Sequence, residues 1–141
     1  MISITKIFRF ETAHAIHRYQ GSCKNIHGHS YELHVTVRAN QLIEGYVAGL
    51  GIILDFKELK EIVQSQVVKT LDHKLLLSKT YLAVNKNEFA KDELVIFDVE
   101  PTAENILIFA RHQIINALPD YVQLHSLKLW ETGDSYAEWS A

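Results

Sequence analysis

The fold is decided by residues 27–39, whose sequence is HGHSYELHVTVRA. Its odd-numbered positions carry histidine, tyrosine and aliphatic side chains, and its even-numbered positions are glycine or polar. This alternation predicts a β-strand with one buried face and one solvent-facing face. His27 and His29 share the face that should be buried, where two imidazoles form half of a metal site. His34 falls on the polar face and is expected at the surface.

Residues 2–14 show the same alternation, and their apolar even-numbered positions lead to His14. If this strand pairs with residues 27–39 as a hairpin, His14 lies close to His27 and His29. Two interpretations of His14 stay open: a core histidine at a strand end, or a third metal ligand. Three neutral imidazoles suit zinc, and they leave a fourth coordination position free, as in catalytic zinc sites.

Cys23 is the single cysteine of the chain and precedes His27 by four residues. It can be a fourth metal ligand, a nucleophile or base beside the metal, or an inert buried thiol. A nearby cation or histidine would lower the pKa of the thiol and make it reactive. Asp72 and His73 are candidates for such a partner, because a carboxylate can fix the tautomer of a histidine that moves protons.

Capping residues and stripes of apolar residues predict two helices. Asp55, with Glu58 three residues later, predicts a helix start, and the apolar stripe from Phe56 to Leu71 predicts its buried face. The helix should end near Leu71, with Asp72 and His73 at its C-terminus. The second helix should begin after Pro101, with Thr102 as N-cap and Glu104 in the first turn. A short strand is expected in 94–99, within the long connection of residues 78–100.

The sequence of the C-terminal segment predicts two strands, which are joined by a turn at Gly133-Asp134. In residues 124–132 the odd-numbered positions are His125, Leu127, Leu129 and Glu131, and they should share one face. Glu131 is either a strand-end residue in water or a carboxylate that accepts paired N–H bonds from a ligand. The order β-β-α-α-β-β predicts an α+β fold, with an antiparallel sheet and both helices on one face.

Bulk composition narrows the function classes. The 141 residues are 48% apolar and 22% charged, which is typical of one globular domain spanning residues 1–141. The net charge of −3 means that the chain has no excess of basic residues, which argues against a nucleic-acid-binding protein. No apolar run approaches the ~18 residues of a membrane span. The N-terminus lacks the apolar core of a signal peptide, and a single cysteine forms no internal disulfide, so a cytoplasmic protein is expected.

Several motifs, in order along nearly the whole chain, resemble the 6-pyruvoyl-tetrahydropterin synthase family. They are Phe10-Glu11-Thr12-Ala13-His14, Cys23-x3-His27-Gly28-His29, Leu54-Asp55-Phe56-x2-Leu59-Lys60, Leu71-Asp72-His73, Pro101-Thr102-x-Glu104-Asn105 and Trp130-Glu131-Thr132. The similarity is greatest to the bacterial 6-carboxy-tetrahydropterin synthases of queuosine biosynthesis. Three residues separate Cys23 from His27, as in that branch, whereas the animal-type pyruvoyl synthases have a longer gap. The connection 78–100 departs from the compact bacterial members by being longer.

The resemblance implies the tunnelling fold (T-fold), with homotrimers or hexamers whose active sites lie between subunits. Such an assembly would cover the free face and edges of the sheet. The resemblance also implies roles for individual residues. Zinc would bind His14, His27 and His29; Cys23, Asp72 and His73 would be catalytic; Glu131 would anchor the pterin; and Thr102 and Glu104 would lie near the pterin pocket.

The implied substrate is 7,8-dihydroneopterin triphosphate. Its conversion would give 6-carboxy-tetrahydropterin, acetaldehyde and triphosphate. The sequence also leaves two other functions open. One is the pyruvoyl synthase reaction, in which triphosphate is eliminated without cleavage of the carbon chain. The other is a non-enzymatic zinc- and pterin-binding assembly subunit.

Overall fold

The computed structural model describes residues 1–21, 24–85 and 89–141, and most of its strands belong to one curled sheet. The strands are β1 (Ser3–His14), β2 (His27–Ala39), β3 (Leu42–Ile43), β4 (Tyr46–Val47), β5 (Lys74–Ser78), β6 (Leu94–Phe97), β7 (Val122–Thr132) and β8 (Ser135–Ser140). The α-helices are α1 (Phe56–Val63), α2 (Lys69–Leu71), α3 (Lys79–Val84) and α4 (Ala103–Ile115). No helix in the described parts of the chain is long and apolar enough to span a membrane.

The main sheet has the strand order β6-β5-β1-β2-β7-β8. Its antiparallel part, β1-β2-β7-β8, is the sheet that the sequence predicts, and the α+β class is confirmed. The sequence did not predict the parallel pairs at one edge, where β5 pairs in parallel with both β1 and β6. The apolar residues of β5 do not alternate with polar ones, so periodicity does not identify this strand.

The core lies between the sheet and the helices. Phe8 and Phe10 of β1 and the odd-numbered residues from Tyr31 to Val37 of β2 are buried, together with helical side chains of the two main helical segments. Both segments therefore pack on the same face of the sheet, as predicted. The opposite face carries polar and partly exposed side chains, including Thr5 and Arg9.

The first helical segment runs from α1 through a π-helical turn, Gln64–Val68, into α2. Asp55 caps it by accepting a hydrogen bond from the backbone N–H of Lys57, at 2.7 Å, and the helical turns end at Leu71 as predicted. Phe56 was expected on the buried stripe, but its side chain is 51% exposed because it occupies the first helical position, beside solvent.

The pairing register shifts at two places in β7. The first shift lies beside His125, and the buried positions change there from Val122 and Leu124 to Leu127 and Leu129. The expectation that His125 shares a face with Leu127 was therefore wrong, because a bulge reverses the parity of the strand. The second shift lies between Trp130 and Thr132, and it isolates Glu131 from the ladder with β8.

The connection of residues 78–100 contains regular structure of its own. Ser78 caps α3 by accepting a hydrogen bond from the backbone N–H of Tyr81, at 2.9 Å. A single 3₁₀ turn, Lys91–Glu93, leads into β6, which confirms the expected short strand. The connection thus supplies the crossover that two parallel strands require.

Thr12 joins the end of α2 to β1, and this contact can be tested by substitution. Its buried hydroxyl donates to the carbonyl of Leu71 at 2.8 Å, immediately before Asp72. Thr12→Val keeps the shape but removes the donor from a buried carbonyl, so we expect a loss of about 1–3 kcal/mol in the free energy of unfolding.

Thr5→Val is the matched control, because Thr5 lies on the same strand and bonds the Thr36 hydroxyl at an exposed position. Its effect should stay within about 0.5 kcal/mol. Urea unfolding at one fixed protein concentration measures both variants. Equal losses in the two would contradict the role assigned to Thr12.

Candidate active site

Three histidines meet where β1 ends and β2 begins. The antiparallel register places His14 opposite His27, and Thr12 opposite His29, so all three imidazoles lie on the buried side. Their ring centroids are 4.6 to 5.1 Å apart. The convergence predicted from strand parity is confirmed, and His34 lies outside it, paired with Glu32 at 2.7 Å.

Hydrogen bonds fix the tautomers of two of these histidines. His14 Nδ1 lies 2.7 Å from the carbonyl oxygen of Pro101, and His27 Nδ1 lies 2.7 Å from that of Asn25. Because a carbonyl only accepts, both Nδ1 atoms must carry the hydrogen. In the neutral rings both Nε2 atoms are then lone-pair acceptors, yet they face each other at 3.0 Å.

Two lone pairs that face each other at this distance repel unless a proton or a metal ion lies between them. Outer partners that bind the far ring nitrogen are also the usual way in which metal-ligating histidines are oriented. The donor set therefore fits a divalent metal such as zinc, which prefers neutral imidazole nitrogens.

Glu131 joins the histidines from β7. Its Oε1 lies 3.0 Å from His29 Nε2 and 3.4 Å from His14 Nε2. One donor atom from each of the four residues lies within 4.8 Å of the others. The pattern of β7 predicted that Glu131 faces inward, but it gave no indication that the carboxylate reaches the histidines.

The protonation states in this group favour cation binding. Burial is the largest influence on His29 and lowers the pKa of its imidazole, which favours the neutral form that a metal requires. Contact with the His14 imidazole is the largest influence on Glu131 and, together with the neighbouring His29 imidazole, holds the pKa of its carboxyl below the ordinary value. These shifts favour a neutral His29 imidazole beside an ionised Glu131 carboxylate.

Asp72 and His73 form a second pair, at the end of α2. His73 Nδ1 lies 3.0 Å from Asp72 Oδ1, although adjacent side chains usually point apart. Asp72 Oδ1 also accepts the backbone N–H of Glu11 at 2.9 Å, and this bond is the largest influence that lowers the pKa of Asp72. His73 has φ of 58°, in the left-handed region, and its side chain is 78% exposed.

Two further predicted site residues, Thr102 and Glu104, lie at the start of α4. Thr102 is half-buried and caps α4 through its hydroxyl, which accepts the Asn105 N–H at 3.2 Å. Glu104 is exposed in the first turn of that helix. Both follow Pro101, whose carbonyl oxygen accepts a hydrogen bond from His14 Nδ1, so this segment borders the histidine cluster. Cys23 lies outside the described residues.

A surface cavity of about 470 Å³ borders the loop between β1 and β2. Arg18 and Lys24 contribute cationic side chains to its lining, and Asn25, whose carbonyl binds His27, also lines it. Tyr81 of α3 also lines the cavity. The cavity therefore joins the loop between the metal-capable histidines to the long connection after β5.

Sequence reasoning missed the carbonyl oxygens of Pro101 and Asn25, which orient two of the histidines. Every residue has a carbonyl group, so residue identity carries no signal for such a role. A register shift like the one beside Glu131 likewise has no local signature in a strand of this composition.

Comparison with known proteins agrees with this geometry. The family model described as 6-pyruvoyl tetrahydropterin synthase matches residues 3–141. A 6-carboxy-5,6,7,8-tetrahydropterin synthase of Haemophilus influenzae is 32% identical, and the alignment covers 99% of each chain. The enzyme of that name from Rickettsia typhi is 29% identical, over 98% of this chain and 99% of its own.

A solved structure shows the same fold. The 6-pyruvoyl tetrahydropterin synthase of Caenorhabditis elegans superposes with a TM-score of 0.73 at 20% identity, covering 99% of this chain and 95% of its own. The T-fold implied by the sequence motifs is therefore confirmed.

Zinc affinity distinguishes a metal ligand from a nearby histidine. His29→Gln removes a donor from the cluster, so we expect zinc binding to weaken by more than the roughly 10–100-fold typical for loss of an outer-shell partner. His34→Gln, five residues later on the same strand, should leave the affinity unchanged. Competition with a chromogenic chelator measures both. An equal loss of affinity in the two variants would contradict the assignment.

Proposed function

Because the chain belongs to the 6-pyruvoyl tetrahydropterin synthase family, we propose that it is a zinc-dependent 6-carboxy-5,6,7,8-tetrahydropterin synthase. It would convert 7,8-dihydroneopterin triphosphate to 6-carboxy-tetrahydropterin, acetaldehyde and triphosphate, within 7-deazaguanine and queuosine biosynthesis. The observation that carries the proposal is the meeting of His14, His27 and His29 with their Nε2 atoms turned toward one point.

The three histidines would hold the zinc ion. Zinc supplies Lewis acidity, which stabilises the enolate charge that develops when the substrate side chain loses a proton. Pro101 and Asn25 keep the His14 and His27 rings in the required tautomer through their carbonyl oxygens. The enzyme therefore needs no rearrangement of these two ligands when the substrate enters, which is the benefit of preorganisation.

Glu131 would anchor the pterin ring, because a carboxylate accepts the paired N–H groups at the guanidine-like edge of a pterin. Thr102 and Glu104 would border the ring on the far side of His14. Arg18 and Lys24 in the neighbouring cavity offer cations to the triphosphate. The substrate would thus be held at its two ends, with its reacting side chain at the metal.

Proton transfer is assigned to Cys23 and to the Asp72–His73 pair. Cys23 would act as a thiolate base, and His73, oriented by Asp72, would carry protons. The imidazole of His73 is largely exposed and its backbone is held by a bond to the Glu11 carbonyl, so it presents a fixed donor to a neighbouring molecule. We therefore propose a homotrimer or hexamer in which His73 serves the site of an adjacent subunit.

Two observations support the carboxy product over the pyruvoyl product. The Haemophilus and Rickettsia relatives, which align with this chain over nearly their full length, are named 6-carboxy-5,6,7,8-tetrahydropterin synthases. Three residues separate Cys23 from His27. The alternative is the pyruvoyl synthase reaction, which the family description and the Caenorhabditis structure name. The third candidate is a non-enzymatic subunit that binds zinc and pterin.

Product analysis decides between the two reactions. Incubation of the zinc-loaded protein with 7,8-dihydroneopterin triphosphate should release acetaldehyde and 6-carboxy-tetrahydropterin in equal amounts, because cleavage of the side chain yields both. Mass spectrometry and an aldehyde assay measure the two products. Release of triphosphate with a pyruvoyl product and no acetaldehyde would establish the alternative.

Two substitutions test the enzyme against the binding subunit. Cys23→Ala and His73→Asn should retain zinc but lose turnover by about 10²–10⁴-fold, the usual contribution of a general acid or base. Asparagine is chosen at position 73 because it tolerates a positive φ. His112→Asn, on the exposed face of α4, is the control and should keep full activity.

The zinc content of Cys23→Ala separates two roles of the thiol. If this variant binds no zinc, Cys23 is a metal ligand and the assignment as base is wrong. If both variants turn over substrate at the rate of the unsubstituted protein, neither residue is catalytic.

A further inference from the structure

We infer that Glu100 is a positioning residue for recognition of the phosphate chain, and that its carboxylate holds the loop between β1 and β2 in the conformation that presents Arg18 to the neighbouring cavity. The inference rests on the proposed function, because the phosphate chain is that of the proposed substrate. It adds a residue that lies outside the histidine cluster, and it makes the start of α4 the support of the phosphate site.

The cavity beside this loop has the lining of an anion site. Arg18 and Lys24 are the cationic residues of the lining, and Asn25 and Asn85 are polar members of it. No carboxylate is among the described residues that line the cavity. Its volume of about 470 Å³ lies within the range of small-molecule sites. Because guanidinium and ammonium groups bind phosphate oxygens, a phosphate chain is the class of ligand that this lining fits best.

A histidine in the same lining also points to a ligand. His17 lines the cavity, and its Nε2 atom is buried without a hydrogen bond to any of the described residues. Buried polar groups of folded proteins nearly always have a partner, either in the protein or in a bound molecule. A phosphate oxygen would be the acceptor for a ring N–H at this position. This observation is independent of the charge of the lining, and it indicates the same ligand.

Arg18 has a backbone conformation that needs support from its surroundings. Its φ is 59°, in the left-handed region, which residues other than glycine rarely adopt. Such conformations persist where the surrounding structure holds them, and they are common at ligand sites. Ala15 and Ile16 are buried, so they fix the chain that enters this turn. The amide of His17 is then the next group through which the loop can be held before Arg18.

Glu100 holds the loop at that amide. The backbone N–H of His17 donates a hydrogen bond to Glu100 Oε1 at 2.6 Å. Glu100 is itself fixed at the start of α4, because its carbonyl oxygen accepts hydrogen bonds from the Thr102 backbone and the Asn105 side chain, both at 2.9 Å. The loop is therefore tied to this helix at the residue immediately before its arginine.

Glu100 acts on the ligand through the loop and not by contact. It is not among the described residues that line the cavity, and a carboxylate facing the cavity would repel a phosphate. The bond to the amide needs an acceptor oxygen at this place rather than a negative charge, since a backbone N–H is a neutral donor. Glutamine offers an acceptor oxygen on a side chain of the same length, so Glu100→Gln separates position from charge.

Binding of inorganic triphosphate to the zinc-loaded protein tests the role of Glu100 directly. In Glu100→Ala we expect the affinity to fall roughly tenfold, as for the loss of a hydrogen bond to a charged group. Glu100→Gln should keep the affinity, because it keeps the acceptor. Glu138→Ala, which removes an exposed carboxylate that faces Lys128, is the control and should also keep it. Calorimetry gives the affinities, and the zinc content is measured after each titration because triphosphate also chelates zinc. No loss in Glu100→Ala, or an equal loss in Glu100→Gln, would overturn the inference.

A double substitution tests whether Glu100 acts through Arg18. Arg18→Asn removes the cation and keeps a residue that tolerates a positive φ, so it should weaken triphosphate binding without disturbing the turn. In that background Glu100→Ala should cause little further loss of affinity, because the group that it positions is gone. Losses that add in the double variant would show that Glu100 acts in another way, and they would overturn the inference.

Turnover gives a separate measurement. With 7,8-dihydroneopterin triphosphate, Glu100→Ala should raise KM and leave kcat nearly unchanged, since it weakens a contact that is present before the reaction as well as during it. A fall in kcat at unchanged KM would contradict the positioning role. If triphosphate binding follows the expected pattern but no product forms, the proposed function fails and the positioning role stands. If product forms and Glu100→Ala binds triphosphate normally, the positioning role fails alone.

Discussion

The 3.0 Å approach of two imidazole nitrogens, on His14 and His27, is the constraint on which the rest of the structure depends. It is held by the register of β1 and β2, which places the two residues directly opposite each other. A slip of one residue would move one histidine to the solvent face, and would also move the apolar side chains of that strand out of the core. Burial of the core therefore enforces the geometry of the site, and the start of α4 completes it through the Pro101 carbonyl.

The features that follow from periodicity could be predicted from the sequence. Strict alternation in β2 identifies its buried face over the length of the strand, so the positions of His27 and His29 follow without any knowledge of their partners. The strand β5 could not be found in this way, because its apolar residues do not alternate with polar ones, and the parallel pairing of β6 has no periodic signal. Phe56 shows a further limit: it fits the apolar stripe of its helix, yet the first turn projects it beyond the edge of the core.

The residues of the site were predicted from the sequence, but their contacts were not, because those contacts depend on departures from regular structure. The pairing of Asp72 with His73 requires a left-handed residue immediately after a helix, and the reach of Glu131 requires a shifted register in β7. Both depart from the regular period on which pattern analysis relies. Backbone irregularities of this kind are common at functional sites, where the surrounding packing must stabilise them. Here the bonds from His73 and Asp72 to the Glu11 backbone tie the irregular turn to β1.

In both proposed reactions the metal, the base and the ring anchor would be the same groups, so those groups would not decide which product forms. The difference has to arise from contacts with the part of the substrate that lies beyond the metal. In this chain one cavity is lined by Arg18 and Lys24 of the loop between β1 and β2 and by Tyr81 of α3. Because α3 belongs to the long connection after β5, that connection contributes directly to the cavity wall. This connection is therefore placed to influence which product the proposed enzyme would form.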